Sequence, residues 1–537
     1  MTETNSVITN AALEPSAKIP LRTWIGFAVL LTGQFMAVLD IQIVASSLGE
    51  IRASLGATVE EIAWIQSAYL IAEVIMIPLS AWLARVFSMR YMFAGSTALF
   101  TVSSVLCALA WNLESMTVFR GLQGFFSGCL VPLSFATIFF MFPREKHGIA
   151  VILAGMITTS GITMGPVVGG WVTQNYSWPW IFLMNIPIGI LVVTGVLMLI
   201  DIDKPQIRLL RRVDIGGVIL VALFLGSFQF LLSEGPKEDW FESELIFRVT
   251  VVMLIAGILF VWRELTCPEP VIDLRIFRYQ RVTITCICAF FLGAAIYGST
   301  YLMPAMLSTV RAYNSEQIGT IMMFTGIAQV TLAPFASYMN QRLPSRIILA
   351  LGLTFLIASL FAFSTSNAEV GMTDLALPQF TRGIGMMLCF LPLTLLAIGG
   401  LPLSDVRMAS SVYNLSRSLG GAIGLALLTS FQDYRFDFHK NALAERLTVD
   451  RVQITDALVI LGQRVEQVLG PGEHIQSLSL KLLTKLVDRE AWVLTFNDMW
   501  IYLALYSGLS MIFIPFLKEL PPITQQAAAR TGPVSGG

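Results

Sequence analysis

The sequence predicts an all-α polytopic membrane protein built from two related six-helix halves with two further helices inserted between them, fourteen transmembrane helices in all. Three observations predict it. The 537-residue chain is 55% hydrophobic and only 13% charged, whereas soluble globular chains carry roughly a quarter charged residues. Its apolar residues fall into runs of about the ~20 residues that a helix needs to cross a ~30 Å hydrocarbon layer. An arginine–glycine string also recurs 262 residues along the chain, from Arg120 to Arg382.

Taken in order between clusters of Gly, Pro, Asn and charge, the expected spans are 22–48, 60–84, 90–111, 113–141, 148–172, 178–200, 213–233, 245–264, 281–308, 316–339, 345–365, 376–400, 405–431 and 497–517. The first run is longer than the ~7–15-residue core of a signal peptide, so a signal anchor is expected. An even number of spans puts both termini on one side. Nineteen lysines and arginines, including Lys18, Arg22, Arg85, Arg90, Arg144, Arg263, Arg275, Arg278, Arg342 and Lys518, fall on that side. The short loops opposite hold Arg52, Lys237, Arg248 and Arg311. Positive charge concentrates in cytoplasmic loops, so both termini are expected in the cytoplasm. The polar segment 432–496 is then external. Its strings ALVILGQRVEQVL and LSLKLLTKLV carry apolar residues at helical spacing, which predicts one or two amphipathic helices.

The repeat sets the internal organisation. Arg120-Gly121-Leu122-Gln123-Gly124 in the fourth span is echoed by Arg382-Gly383-Ile384-Gly385 in the twelfth, and the span that follows each is glycine-rich. Two correspondences at nearly one offset imply two related halves. The expected division is a tail 1–21, a first half 22–200, an inserted pair with linkers 201–280, a second half 281–517 that includes the external segment, and a tail 518–537.

Other chemistries find little support. A net charge of −1 provides no basic field for nucleic acid. The six cysteines form no CxxC pair, and His147, His439 and His474 all fall in expected loops. No phosphate-binding GxxxxGK[ST] string or Ser/His/Asp set is present, so neither an enzyme nor a cofactor is expected.

Charge inside a span costs about 2.5–3.5 kcal/mol at the bilayer centre, which makes each such residue a functional candidate. Asp40, Glu73, Arg120, Arg382 and Arg417 qualify. Asp40 lies eight residues before Leu48 and Arg120 eight after Asn112, so both sit roughly 12 Å below the outer face at 1.5 Å per residue. Equal depth predicts a direct or water-bridged pair, either a switch that protonation opens or a permanent structural bridge. Glu73 falls near the midplane, where it could carry a proton or attract a cationic substrate. Arg382 and Arg417 have no acidic residue in the spans of their own half, so carbonyl groups or an anionic substrate group are their expected partners. Tyr297, Tyr301, Met322 and Phe324 are candidates for an adaptable apolar cavity, as is the polar Gln42.

The string GITMGPVVGG places Gly161, Gly165 and Gly169 on one helical face, open to close approach by another backbone. Gly170 follows, and Pro166 removes one backbone donor and invites a kink. Together with RGLQG one span earlier, this string resembles the antiporter motif of the major facilitator superfamily. SWPWIFLMNIPIG (177–189), Leu39-Asp40, Trp64, Tyr69 and the long external segment are similar to the fourteen-span drug:proton antiporters of the EmrB/QacA group, with the segment pointing to its EmrB branch. The resemblance implies the major facilitator fold and proton-coupled multidrug efflux of amphiphilic compounds across a bacterial inner membrane. Export of one endogenous metabolite, such as a siderophore or fatty acid, is the alternative. The resemblance supports proton coupling by Asp40 with Arg120 and cytoplasmic gating by Arg85 and Arg90; Glu73 is a further proton-coupling candidate by its depth alone, the other reading being a neutral carboxyl hydrogen-bonded to a neighbouring helix. The resemblance also implies a periplasmic membrane-fusion adaptor and an outer-membrane channel as partners. This chain departs from the group at Gln42 and Ala45, where Thr and Asn are usual, and at Ala81 and Ser88, where the gating motif has glycines.

Overall fold

The computed structural model describes residues 19–268, 270–445, 452–469 and 475–519. The tail stretches 1–18 and 520–537, and 446–451 and 470–474 of the external segment, lie outside the described residues. Among those described there is no strand.

The chain opens with α1 (Leu21–Ser46), followed by the short helices α2 (Leu48–Leu55) and α3 (Val59–Ile62) at the far end of the bundle. Next come α4 (Trp64–Phe87), α5 (Met89–Ala108), α6 (Leu113–Ser127), α7 (Leu130–Met141), α8 (Arg144–Asn175), α9 (Trp180–Leu183) and α10 (Asn185–Leu199). The expected inserted helices are α11 (Ile215–Glu234) and α12 (Glu244–Thr266). The remainder are α13 (Gln280–Arg311), α14 (Ser315–Arg342), α15 (Ser345–Phe363), α16 (Met372–Ile398), α17 (Leu403–Glu445), α18 (Val452–Leu469) and α19 (Ile475–Gly508).

Twelve helical stretches among the described residues are long and apolar enough to cross a membrane, or thirteen when the bent α8 is counted as one span. The expected span at 405–431 falls on α17, which is long enough but too polar to qualify, with Asp405, Arg407, Asn414 and Arg417 along it. The expected span at 113–141 is divided into α6 and α7 around Gly128. In α8 the segments Glu145–Ile162 and Met164–Asn175 meet at 41°, one turn before Pro166, whose missing N–H leaves the Ile162 carbonyl without its helical partner.

Glycines set how closely the helices approach. A Cβ on Gly161 would stand 3.1 Å from Val38 Cγ1, one on Gly165 2.2 Å from Gln42 Cβ, and one on Gly169 2.3 Å from Ser46 Oγ. Both series advance by four residues, so α1 and α8 run parallel with almost no side chain between them. In the second half, a Cβ on Gly420 would lie 1.9 Å from the Phe290 carbonyl oxygen and one on Gly424 2.5 Å from Ala294 Cβ, which repeats the arrangement between α13 and α17. Likewise Gly124 of α6 seats against the Tyr69 carbonyl of α4, and Gly383 of α16 against the Thr325 carbonyl of α14. The sequence repeat is therefore also a repeat of packing.

Burial separates centre from rim. In α16, 83% of the apolar stretch is buried, against 22% in α12. Val252, Ile255, Ile258 and Trp262 of α12 are exposed, as expected of an outermost helix facing lipid. α11 packs between it and the bundle, where Gly226 meets Ile75 of α4, and Trp240 in the following loop donates through Nε1 to Ser430 Oγ of α17 at 2.9 Å.

The expected external segment is mostly helix. α17 runs 14 residues past 431 to Glu445, and α19 begins at Ile475, far ahead of the expected start at 497. The two are clamped by Arg435 and His439 on Asp498, by Lys440 on Asp488 at 3.0 Å, and by Phe436 stacked on Trp492 at 4.3 Å between ring centroids. α18 packs alongside α19.

Candidate functional site

Asp40 reaches the interior because α1 turns Gln34, Val38, Gln42 and Ser46 toward α8 and leaves this carboxylate facing α6 and α10. Arg120 sits on α6, and its Nη1 donates to Asp40 Oδ2 at 2.6 Å and to Gln123 Oε1, one turn on, at 2.7 Å. Gln123 Nε2 in turn donates to Asp40 Oδ1 at 3.0 Å, and Asn185 Nδ2, at the start of α10, donates to the same oxygen at 2.9 Å. Ser104 of α5 closes the ring, accepting from Gln123 and Asn185 and donating to the Phe182 carbonyl at 3.1 Å. The Tyr69 ring lies 4.2 Å from the Arg120 guanidinium carbon. Both charges are sealed from solvent, Arg120 at 0% and Asp40 at 2% exposure. At that burial the cost of desolvation rivals the attraction, so the pair adds little net stability while breaking it by removing one partner costs about 3–5 kcal/mol.

The neutral members of this ring carry no charge to mark them in the sequence. Gln123 lies in RGLQG and Asn185 in SWPWIFLMNIPIG, yet a search confined to ionisable residues passes over them, and Ser104 has no signal at all. A side-chain amide inside a span must also find partners in an apolar medium, and that criterion would have found two of the three.

Glu73 lies one turn beyond Tyr69 on α4, half-buried, with no hydrogen bond or ion pair among the described residues. The charges acting on it are Arg120 and Asp40 of the ring and Arg417 of α17. Arg417 donates to Asn414 Oδ1 at 2.8 Å and stands 5.2 Å over the Phe390 ring, with buried Nη1 unpaired. Tyr297 packs against Gly421 and lies in range of both Glu73 and Arg417. Arg382, at the position of the repeat that Arg120 occupies in the first half, bonds the Ser299 carbonyl and the Thr325 hydroxyl, each at 3.2 Å. Among the described residues no carboxylate meets it.

The other candidates divide between cavity and packing. A cavity of about 20 Å³ between the halves is lined by Met156, Thr159, Gln329, Met386, Met387 and Phe390, among others. Met322 is 1% exposed and belongs to the core, and Gln42 abuts Gly165. Tyr301 donates to Gln432 at 3.4 Å, and Phe324 is half-buried.

At the end of the bundle where α1 starts, hydrogen bonds join the halves. Ser411 Oγ donates to the Ile77 carbonyl at 2.6 Å, and Ser410 Oγ to the Pro132 carbonyl at 2.7 Å. Arg407 donates to Asp203 Oδ2 at 2.7 Å, and Asp203 Oδ1 also accepts the Met89 N–H at 2.9 Å. Burial pushes the Asp203 carboxyl up, opposed by the Met89 N–H and by Arg407. The turn between α4 and α5 has no acidic residue of its own, and Asp203 reaches it from the linker after α10. Arg90 donates to the Leu197 carbonyl in the last turn of α10, where cations are favoured.

The family model for the Major Facilitator Superfamily matches residues 30–425. The chain is 37% identical over 511 residues to the colistin resistance protein EmrB of Acinetobacter baumannii, covering 95% of this chain and 99% of that one. It is 33% identical over 414 residues to the multidrug export protein EmrB of Escherichia coli K12, covering 76% and 80%. The solved structure of the proton:xylose symporter XylE superposes with a TM-score of 0.56 over 94% of this chain and 97% of that one, at 12% identity, a likeness of fold alone. With matched helices, a matched repeat and relatives along nearly its whole length, this chain is a multi-pass membrane protein that belongs to the Major Facilitator Superfamily, among the relatives of the EmrB exporters.

Proposed function

We propose that the protein is a proton-coupled efflux transporter, a drug:H⁺ antiporter that exports small amphiphilic or hydrophobic compounds across a bacterial inner membrane by alternating access. Both termini lie in the cytoplasm in this reading, supported by the distribution of lysine and arginine. The observation that carries it is the sealed ring around Asp40. Protonating that carboxylate removes the charge facing Arg120 and weakens bonds that are roughly twice as strong as neutral ones. The hold of α1 on α6 and α10 loosens as a result. Glu73, between this ring and Arg417 of the other half, is the second proton carrier. The names of the relatives, multidrug export and colistin resistance, support drug-like cargo. Efflux of a panel of dyes and drugs, measured in cells with and without a protonophore, tests the whole reading: extrusion that persists after the gradient collapses would refute proton coupling.

The unpaired cations favour a second reading, a dedicated exporter of an anionic endogenous metabolite such as a fatty acid or siderophore. Arg417→Ala is expected to raise KM for anionic amphiphiles roughly tenfold or more, by removing a charge-assisted contact, and to leave cationic substrates unaffected. Loss of transport for both classes alike would show that Arg417 does not select charge.

The Asp203–Arg407 bridge is read as part of a gate at the cytoplasmic end, with Arg85 and Arg90. Hydrogen bonds to charged groups contribute about 1.5–3 kcal/mol, so Asp203→Ala should shift the closed-to-open ratio roughly tenfold or more. The measurement is labelling of a Met408→Cys variant by an impermeant thiol reagent, in a Cys267→Ser background. An unchanged labelling rate rules the gate out. The hairpin of α17 and α19 exposes Tyr434, Phe438, Leu480 and Leu486, a surface that suits a periplasmic adaptor leading to an outer-membrane channel, and copurification with such a protein is its test.

A further inference from the structure

A cavity of about 110 Å³ opens where three parts of the chain meet at the α1-start end of the bundle. Arg85 comes from the last turn of α4, Arg275, Arg278 and Tyr279 from the turn before α13, and Asp405 and Arg407 from the first turns of α17. We propose that this cavity binds a phosphate group, supplied either by the headgroup of an anionic phospholipid or by a soluble phosphate.

The charge balance favours an anion. Four guanidinium groups line the cavity against two carboxylates, those of Asp273 and Asp405. Both carboxylates are already engaged by donors of the chain. Asp405 accepts the Tyr279 hydroxyl at 3.1 Å and the Ser404 hydroxyl at 2.9 Å, and Asp273 accepts the Arg275 N–H at 3.0 Å. Three of the arginines retain donors. Arg275 has no side-chain partner among the described residues, and Arg407 uses Nη2 on Asp203 while its buried Nε has no acceptor. Arg278 donates one Nη2 bond to Tyr279 at 3.0 Å and stands 4.0 Å from Asp405 Oδ2 as an ion pair, while its side chain remains 66% exposed. The amino-terminal turn of α17 adds the positive end of its helix dipole. Planar guanidinium forks match phosphate oxygens two at a time, which a single ammonium cannot do.

The surroundings fit a ligand held at a membrane surface. Phe277 and Leu403 are both exposed beside the cavity, apolar neighbours for the glycerol and upper acyl chain of a lipid whose headgroup enters. Basic pockets between helices at the cytoplasmic face commonly hold such headgroups. A bound phosphate would join α4, the turn before α13 and α17, and so stabilise the arrangement in which this end of the bundle is closed. This goes beyond the transport reading, because binding requires neither a substrate nor a proton gradient.

The test uses the purified full chain. One arm records thermal unfolding in neutral detergent with inorganic phosphate, against chloride at equal ionic strength. The other compares nanodiscs of phosphatidylcholine alone with nanodiscs of phosphatidylcholine containing phosphatidylglycerol. The expected result is stabilisation by phosphate, by phosphatidylglycerol, or by both. Stabilisation by phosphate in detergent identifies a soluble ligand; stabilisation confined to phosphatidylglycerol discs identifies the headgroup. Arg275→Gln with Arg278→Gln should weaken the effect roughly tenfold or more. Lysine at both positions should restore part of it and shows that the loss is not misfolding, and Arg248→Gln, exposed at the opposite end, should change nothing. Wild-type protein stabilised by neither ligand, or a double glutamine variant stabilised as well as wild type, overturns the proposal.

Discussion

Asp40→Asn is expected to reduce proton-driven efflux at least tenfold, about 1.4 kcal/mol in the coupled step, while the chain still folds. Asparagine keeps the size of the side chain and one acceptor oxygen, so Gln123 and Asn185 can re-pair within the ring. What is lost is a group that takes and releases a proton opposite Arg120. The measurement is efflux driven by an imposed pH gradient, set beside substrate exchange with no gradient. Exchange should survive where driven efflux does not. Arg120→Ala is expected to behave differently, because it leaves a carboxylate buried without its cation at a cost of about 3–5 kcal/mol, and should appear first as a lower folded yield. Combining Asp40→Asn with Arg120→Gln should recover yield and not coupling. Undiminished gradient-driven efflux in Asp40→Asn would end the proton-switch reading.

The other large effect is expected at the glycine contacts. Leucine at Gly165 or Gly420 has nowhere to go: its Cβ alone would fall 2.2 Å from Gln42 Cβ in the first case and 1.9 Å from the Phe290 carbonyl oxygen in the second. The second obstruction is backbone, so helix α13 or α17 must move as a whole. Overpacking of this kind costs about 1–3 kcal/mol and sometimes more, and Gly420→Leu should exceed Gly165→Leu. The change in melting temperature of the purified variants measures both. Equal tolerance at the two sites would mean that the helices part readily, contrary to the role assigned to the glycines.

Much of the fold was legible because hydrophobic runs and glycine spacing act locally. Asp40 and Arg120 are legible as a pair because the rise of a helix converts residue number into height. Asn185 is not legible in the same way, because it approaches from a helix whose rotation the sequence does not specify. Asp203 was invisible for a related reason: charge counting for topology uses lysine and arginine, and a linker aspartate gives no hint that it will meet the start of α5 and Arg407. Met322 shows the reverse failure, since nothing in an apolar side chain says whether it faces a cavity or its neighbours. The polarity of 432–496 implies that the spans have ended and predicts an external segment with one or two separate amphipathic helices. Polarity ends a membrane span but not a helix, and no proline or glycine lies between 425 and 445 to stop α17.

That continuity has a mechanical consequence. The 43 residues of α17 reach roughly 65 Å at about 1.5 Å per residue, about twice the thickness of the hydrocarbon layer, with no proline along the way. The same rod holds Arg407 on Asp203 at one end, Arg417 in range of Glu73 in the middle, and Arg435 in the clamp on Asp498 at the far end. Any tilt of the rod within the bilayer would be magnified at its tip, so in the alternating-access reading proposed above the hairpin would swing as a pointer to which way the transporter faces.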